Sequence, residues 1–428
     1  MKAVLQPLGY EAVGTPQLAD LVLINTCSVR EKAESKMSSF AEDLKTLKRD
    51  KPEIKIGVTG CVAQQEKEAV LRDLPFVDLV IGPDNIDEIP EILESLEQSS
   101  GPWVRAEFDD SDTRVWKTTT RVLNPGPTAY INVMKGCDHF CSYCIVPYTR
   151  GREKSRPIAD VVEDVKQLTS RGVREVTFLG QNINTFGKRA GESLHELFER
   201  VHEIPELKRI RFTTSHPGDL KDELIECFAK LPKLCSQFHL PAQSGSNRVL
   251  RGMRRFYTRE QYLERVRALR QARPDMALST DIIVGFPGES DDDFLETLDL
   301  VDNVQYENAY SFLYSPRPGT QAATRPCTLT ESVKVDRLMT LQTRLREQSL
   351  RIHKSFVNRW VEILLEGPSK KDPTKWTGRI SQNTPVHVPI SKQHRLGEIV
   401  KVWVESATLT HLKGSWEAVS LGVSESCA

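Results

Sequence analysis

Hydrophobic and polar positions along this chain fall into three regimes. Over the first hundred residues, short apolar runs alternate with amphipathic stretches. Leu21–Cys27, Lys55–Cys61 and Leu79–Gly82 read as buried strands, and Glu31–Lys48, Gln65–Asp73 and Ile86–Leu96 carry the helical period between them. Strand–helix alternation predicts a parallel sheet, in a small doubly wound α/β domain over residues 1–101. Residues 102–122, with acidic and Thr-rich patches, read as a linker.

From Tyr130 the repeat becomes longer and more regular. Strands are expected at Tyr130–Met134, Glu175–Leu179, Arg209–Thr213, Gln237–Leu240, Leu278–Val284 and Ala309–Tyr314, with helices at Ile158–Arg171, Asp219–Lys230, Gln261–Ala272 and Asp292–Val301. Right-handed crossovers would curl such a (β/α)6 array into a partial barrel, here over residues 123–354, with its chemistry at the C-terminal strand ends. Glu331–Phe356 reads as a bridging helix. Trp360–Leu365, Trp376–Ile380, Val386–Ile390 and Ile399–Val404, separated by turns, then predict a small all-β barrel over 355–422.

Charge and cysteine usage narrow the classes. The 428-residue chain has a formal net charge of −1, so any nucleic-acid surface must be local rather than global. Nine cysteines in a chain this long do not resemble a secreted disulfide framework. The start lacks an apolar signal region, and no run of about eighteen apolar residues exists to span a membrane. A reducing cytoplasm is the expected setting, without a membrane partner.

The densest chemistry lies in Gly136-Cys-Asp-His-Phe-Cys-Ser-Tyr-Cys-Ile145. Cys137, Cys141 and Cys144 at CxxxCxxC spacing can reach three irons of a 4Fe-4S cube and leave the fourth iron open to a reactant. Structural zinc stays open as the alternative, although it wants four ligands and His139 has poor reach to a shared metal. Each later strand would end in polar groups. These are Gln181 and Asn182, then Ser215, then Gln243 and Ser244, then Asp281 with Gly285 and Glu289. Nine arginines crowd Asn247–Pro274, and the dense part holds Arg251, Arg254 and Arg255 beside Phe256 and Tyr257. Guanidinium groups there could take phosphates near the barrel mouth. From Arg351 to Glu417, eleven lysines and arginines face six acidic residues, a surplus suited to RNA.

Together these residues resemble the radical S-adenosylmethionine superfamily. The run Gly136–Gly151 with Ser155-Arg-Pro157, and the strings Asn25-Thr-Cys-Ser-Val-Arg-Glu-Lys32, Gly60-Cys-Val-Ala-Gln-Gln65 and Leu240-Pro-Ala-Gln-Ser-Gly-Ser246, resemble its methylthiotransferase family. Glu366-Gly-Pro-Ser-Lys-Lys371 with Thr377-Gly-Arg379 resembles an RNA-binding TRAM domain. The resemblance implies sulfur and methyl insertion at C2 of an isopentenylated adenosine beside the tRNA anticodon. A sister branch acting on threonylcarbamoyl-adenosine or a ribosomal-protein aspartate is the nearest rival. A non-catalytic RNA-binding protein with a structural metal is a rival of another class.

The resemblance also implies S-adenosylmethionine at the strand-end residues, and RNA contacts at Arg251, Arg254, Arg255, Lys370, Lys371 and Arg379. An electron donor such as a flavodoxin or ferredoxin, and a monomeric state, follow from the same likeness. A second, sulfur-donating 4Fe-4S cluster is implied at Cys27 and Cys61, each of which, taken alone, reads equally well as a small buried hydrophobe. No cysteine precedes Cys27 to supply the family's third ligand, so impaired sulfur transfer is expected of the chain as written. Cys227, Cys235, Cys327 and Cys427 read as buried or incidental thiols.

Overall fold

In the computed structural model, which describes residues 1–28, 31–98, 101–108 and 125–418, the N-terminal apolar runs pair as a parallel sheet. Its strands are β1 (Leu21–Thr26), β2 (Lys55–Gly60), β3 (Leu79–Ile81) and β4 (Trp103–Arg105), in that spatial order. Successive side chains of a strand point to opposite faces, and helices cover both faces as the α/β pattern requires. Ile56, Val58 and Val80 meet Leu44, Ala63 and Val70 on one side. On the other side Leu79 and Ile81 meet Val4, Ile89, Ile92, Leu93 and Leu96.

Three details differ from the pattern reading. The helix expected at Gln65–Asp73 begins at Cys61 and breaks at Lys67, whose φ is +47°, before resuming at Ala69. The strands run in sequential order instead of reversing about a switch point. Trp103–Arg105 adds a strand within the stretch expected to be a linker. Most of that linker, residues 109–124, lies outside the described residues, as do Cys427 and residues 29–30 of the Asn25–Lys32 string.

The described chain divides into two compact units. Unit 1 joins this α/β sheet to residues 134–156 and 315–324, so it contains the CxxxCxxC loop and a small hairpin of β6 (Met134–Lys135) with β7 (Lys154–Ser155). Unit 2 comprises 124–133, 157–314 and 325–428.

Six parallel strands build the larger half of unit 2. They are β5 (Thr128–Asn132), β8 (Glu175–Leu179), β9 (Arg209–Phe212), β10 (Gln237–His239), β11 (Ala277–Val284) and β12 (Asn308–Leu313). They form two three-stranded sheets, joined at the Ile210↔Leu234 bridge, which makes the open (β/α)6 barrel. The strands β13 (Trp360–Pro368), β14 (Lys375–Arg379), β15 (Pro385–Pro389), β16 (Ile399–Ala407) and β17 (Leu412–Ser415) close a separate small barrel around Ile363, Leu365, Val386, Val388, Val402 and Val404.

The small barrel docks on the N-terminal ends of the parallel strands. Arg211 on β9 is buried, lies 2.9 Å from Glu175 at the start of β8, and donates to the carbonyls of Ile380 (2.7 Å) and Ser381 (2.8 Å). Arg209 donates to the carbonyls of Arg379 and Glu362. Ser236, just before β10, donates its N–H to Ser381 Oγ, and Gln382 donates to Asp275 just before β11. Glu307, just before β12, accepts from Thr384. Each carbonyl is thus satisfied by a charge that the carboxylates keep paired, the condition for burying guanidinium groups.

His353, on the helix Glu331–Lys354, completes the joint. Its Nδ1 faces the Thr408 carbonyl at 2.9 Å and its Nε2 faces Glu307 at 3.7 Å. Burial opposes its charge, but these two acceptors outweigh burial and hold its pKa above the ordinary value.

Arg211→Ala should lower the urea-unfolding free energy by about 3–5 kcal/mol, because it strands Glu175 and two carbonyls. A raised folded pKa places the His353 contribution below its unfolded pKa of about 6.5 and removes it as pH climbs through the folded value. The stability advantage of wild type over His353→Gln should therefore shrink as pH rises above about 6.5. An advantage constant across that range would contradict the charged pairing.

Candidate active site

Unit 1 carries five of the candidate thiols. β1 and β2 pair with Thr26 opposite Gly60, so Cys27 and Cys61 follow at adjacent strand ends. Thr26 Oγ1 donates to the Thr59 carbonyl at 2.6 Å and accepts from Val62 N–H at 3.2 Å. A Cβ on Gly60 would sit 2.4 Å from the Thr26 carbonyl oxygen, and its φ is +92°, so only glycine permits this turn. Cys61 is thereby fixed as the first residue of the short helix Cys61–Glu66, while Cys27 is exposed.

The CxxxCxxC loop hangs from two anchors. Lys135 makes a buried ion pair with Asp84 at 2.6 Å, directly before Gly136. Gly136 has φ +74°, and a Cβ there would fall 2.2 Å from the Arg152 carbonyl oxygen. Cys137 N–H donates to the Gly151 carbonyl at 3.2 Å, and Asp138 accepts from Arg152 Nε (2.7 Å) and Glu153 N–H (3.1 Å). Further along, Cys144 N–H donates to the Cys141 carbonyl at 3.0 Å, and Ala322 N–H donates to that of Ser142 at 2.7 Å. His139 N–H already donates to Cys137 Sγ at 3.5 Å. Three sulfur donors on one eight-residue loop, one of them accepting a backbone N–H, are the donor type and spacing that suit an iron–sulfur cluster with one protein-free iron.

One residue ties the two thiol groups together, and the pattern reading missed it. Arg150 ends the short helix Val146–Arg150 that begins two residues after Cys144, and its Nε donates to Cys61 Sγ at 3.2 Å. Arginine in a Tyr-Thr-Arg-Gly run gives no spacing signal for a thiol 89 residues earlier.

In unit 2 the strand-end residues divide by what their polar atoms do. Gln181 Oε1, Ser215 Oγ and Asp281 Oδ1 are buried without a hydrogen-bond partner among the described residues. Asn184 Oδ1 and Tyr314 OH, not anticipated, join them. Unfilled buried polar atoms are costly unless a ligand completes them, so these atoms are placed to receive one. His239, also unanticipated, lies on the strand adjacent to Asp281. Its Nδ1 meets Ser279 Oγ at 2.9 Å, and its Nε2 is 3.5 Å from the second Asp281 oxygen.

The other expected contacts are committed internally. Asn182 donates to Asp219 at 2.8 Å and accepts from His216 N–H at 3.1 Å. Ser244 Oγ accepts from Ser246 N–H and faces Thr297 at 3.4 Å. Glu289 accepts from Gly285 N–H at 3.1 Å and pairs with Arg337 at 2.6 Å, and burial holds its pKa above the usual carboxylate value. Gln243, at φ +67°, stitches its loop to β11 through its backbone. Asn182, Ser244 and Glu289 thus brace the strand-end loops from within.

The proposed RNA-contacting residues divide likewise. Arg251, Arg254, Lys370 and Lys371 are exposed and have no side-chain partner among the described residues. Arg255 is buried and donates to the Pro241 carbonyl, and Arg379 is held by Asn383 and Glu366. Burial pushes the Cys227 thiol up to about 11 and raises that of Cys235, as suits unreactive core thiols.

Comparison with known proteins finds three matched segments. Residues 131–301 match the radical SAM superfamily, 1–82 match the uncharacterized protein family UPF0004, and 354–416 match the TRAM domain. The chain is 43% identical to a tRNA-2-methylthio-N(6)-dimethylallyladenosine synthase of Burkholderia lata, over 96% of this chain and 92% of that one. It is 45% identical to one of Myxococcus xanthus, over 98% and 90%. In fold it is similar to the radical S-adenosylmethionine methyltransferase TsrM of Kitasatospora setae, with TM-score 0.56 and 16% identity over 71% of this chain and 66% of that one. No helix among the described residues is long and apolar enough to cross a membrane.

Gly136→Ala should cost most of the iron bound by the Cys137 loop after anaerobic reconstitution, with far-ultraviolet circular dichroism unchanged. Iron retained at the wild-type level would show that the loop does not depend on the left-handed turn.

Proposed function

The chain belongs to the family of tRNA-2-methylthio-N(6)-dimethylallyladenosine synthases, and we propose that it replaces the C2 hydrogen of an isopentenylated adenosine beside the tRNA anticodon with a methylthio group. The observation that carries this reading is the hydrogen bond from Arg150 to Cys61, which joins a radical-type thiol triad and a second thiol pair within one unit. A lone radical generator has no use for the second pair. A structural zinc site has no use for either its open position or its neighbour.

Cys137, Cys141 and Cys144 are the proposed ligands of one cluster, and Cys27 and Cys61 contribute to the second. Bound there, the first cluster would supply the electron that cleaves one S-adenosylmethionine to methionine and a hydrogen-abstracting 5′-deoxyadenosyl radical, and the second would supply sulfur, with the methyl group coming from a further S-adenosylmethionine. The protein's own part is orientation. Gln181, Ser215, Asn184 and Asp281 offer unfilled hydrogen-bonding atoms to hydroxyl and amino groups of the bound nucleosides. His239, held by Ser279, orients one Asp281 oxygen and leaves the other free. Lys370 and Lys371 extend the RNA contact on the small barrel. A flavodoxin or ferredoxin in the cytoplasm fits as electron donor to a monomeric enzyme.

The test is an anaerobic incubation of reconstituted protein with isopentenylated tRNA, S-adenosylmethionine and reductant, read by nucleoside mass spectrometry. Wild type should yield 5′-deoxyadenosine and the 2-methylthio nucleoside, the latter in lower yield than a second cluster held by three thiolates would give. Cys137→Ala should abolish both that product and 5′-deoxyadenosine. Cys61→Ala should abolish the product while 5′-deoxyadenosine still forms, so this arm also reads how far sulfur transfer hinges on the Cys27–Cys61 site. Methylthiolation that survives Cys137→Ala would overturn the assignment.

A further inference from the structure

The arginine-rich run of unit 2 looks like one basic patch, but its side chains are mostly spent. Arg248 pairs with Asp293, Arg259 with Asp299 and Arg265 with Asp222. Arg255, Arg267, Arg270 and Arg273 donate to backbone carbonyls. Of the nine, only Arg251 and Arg254 have no side-chain partner among the described residues, and both are exposed.

Between and beside these two stands an aromatic presented to solvent. From Met253 to Tyr257 the chain alternates strictly, with Met253, Arg255 and Tyr257 buried and Arg254 and Phe256 exposed. Phe256 is 75% exposed, the most of any exposed large apolar residue described. Its support is rigid. Arg255 donates to the Pro241 carbonyl at 2.9 Å, and Tyr257 OH donates to that of Ala242 at 2.8 Å, both just past the C-terminal end of β10. Tyr257 N–H donates to the Arg255 carbonyl, closing a turn with Phe256 at its apex. Arg254 holds φ +58°, and Arg325 fastens Gly252 at 3.1 Å. Exposing a phenylalanine on so fixed a turn costs burial energy that the fold could have kept.

We propose that Phe256 is a stacking platform for an unpaired base of the tRNA anticodon loop, with Arg251 and Arg254 taking the flanking phosphates. This rests on the tRNA substrate proposed above. A single aromatic face with free guanidinium groups suits a nucleic-acid strand, because every base offers a π-face and every linkage a charge. A protein partner is less well matched, since its interface core would need a cluster of apolar neighbours, and here Met253 and Tyr257 are turned inward. The turn stands just past a C-terminal strand end, where barrels receive substrates.

Fluorescence anisotropy with a labelled anticodon stem-loop RNA, isopentenylated or not, tests this on the full chain. Phe256→Ala should weaken binding about tenfold, Phe256→Trp should keep it within about twofold, and neither should change the salt dependence. Arg251→Gln with Arg254→Gln should lower the slope of log affinity against log salt by about 1.4. Thermal unfolding of each variant at the wild-type temperature excludes misfolding. If wild type binds the RNA and Phe256→Ala binds it within twofold, the stacking role is wrong while the tRNA reading stands. If wild type shows no binding to either RNA, the tRNA reading itself fails. Loss of binding to a reduced flavodoxin, with RNA binding intact, would assign the turn to the electron donor and overturn the proposal.

Discussion

The buried guanidinium of Arg211, beside Glu175 and bonded to the carbonyls of Ile380 and Ser381, is the interaction on which unit 2 depends. Parallel strands deliver all their C-terminal ends to one face and all their N-terminal ends to the other. Arg211 and Arg209 seal the N-terminal face with the small β-barrel. The C-terminal face is thereby left to the loops that carry Gln181, Ser215 and Phe256, and to Asp281 on β11. The RNA contacts proposed at Lys370 and Lys371 therefore lie on the opposite side of the strands from that face, and a strand of five residues rises about 17 Å.

Unit 1 solves a different problem, which is to present thiols at backbone turns that ordinary residues cannot make. Gly60 and Gly136 both hold positive φ, and both back directly onto a carbonyl oxygen. The adjacent cysteine is in each case aimed by its neighbour's lack of a side chain. Lys135 with Asp84 and Arg150 with Cys61 then brace the cysteine loop against the α/β sheet. Thiols held by the backbone in this way keep their positions without relying on a long side chain's rotamer.

Periodicity and spacing revealed most of the architecture. The six barrel strands and the small β-barrel sit where local pattern put them, because each depends on neighbours within a few residues. What stayed hidden depends on partners far along the chain. Nothing near Arg211 announces a carbonyl 169 residues later, nor does anything near Glu289 announce Arg337. The nine arginines of Asn247–Pro274 read alike in sequence, yet seven have side-chain partners and two have none among the described residues. The helix break at Lys67 and the strand Trp103–Arg105 were likewise decided by packing, since neither has a breaker or a long apolar run to mark it.

The central question is where the C2 hydrogen goes. The protein, reconstituted anaerobically, can be given tRNA whose isopentenylated adenosine carries deuterium at C2, and the released 5′-deoxyadenosine weighed by mass spectrometry. Direct abstraction at C2 predicts one deuterium in each 5′-deoxyadenosine formed productively, in step with methylthiolated product. Product formation with unlabelled 5′-deoxyadenosine would contradict it, because the C2 hydrogen would then have left by another route.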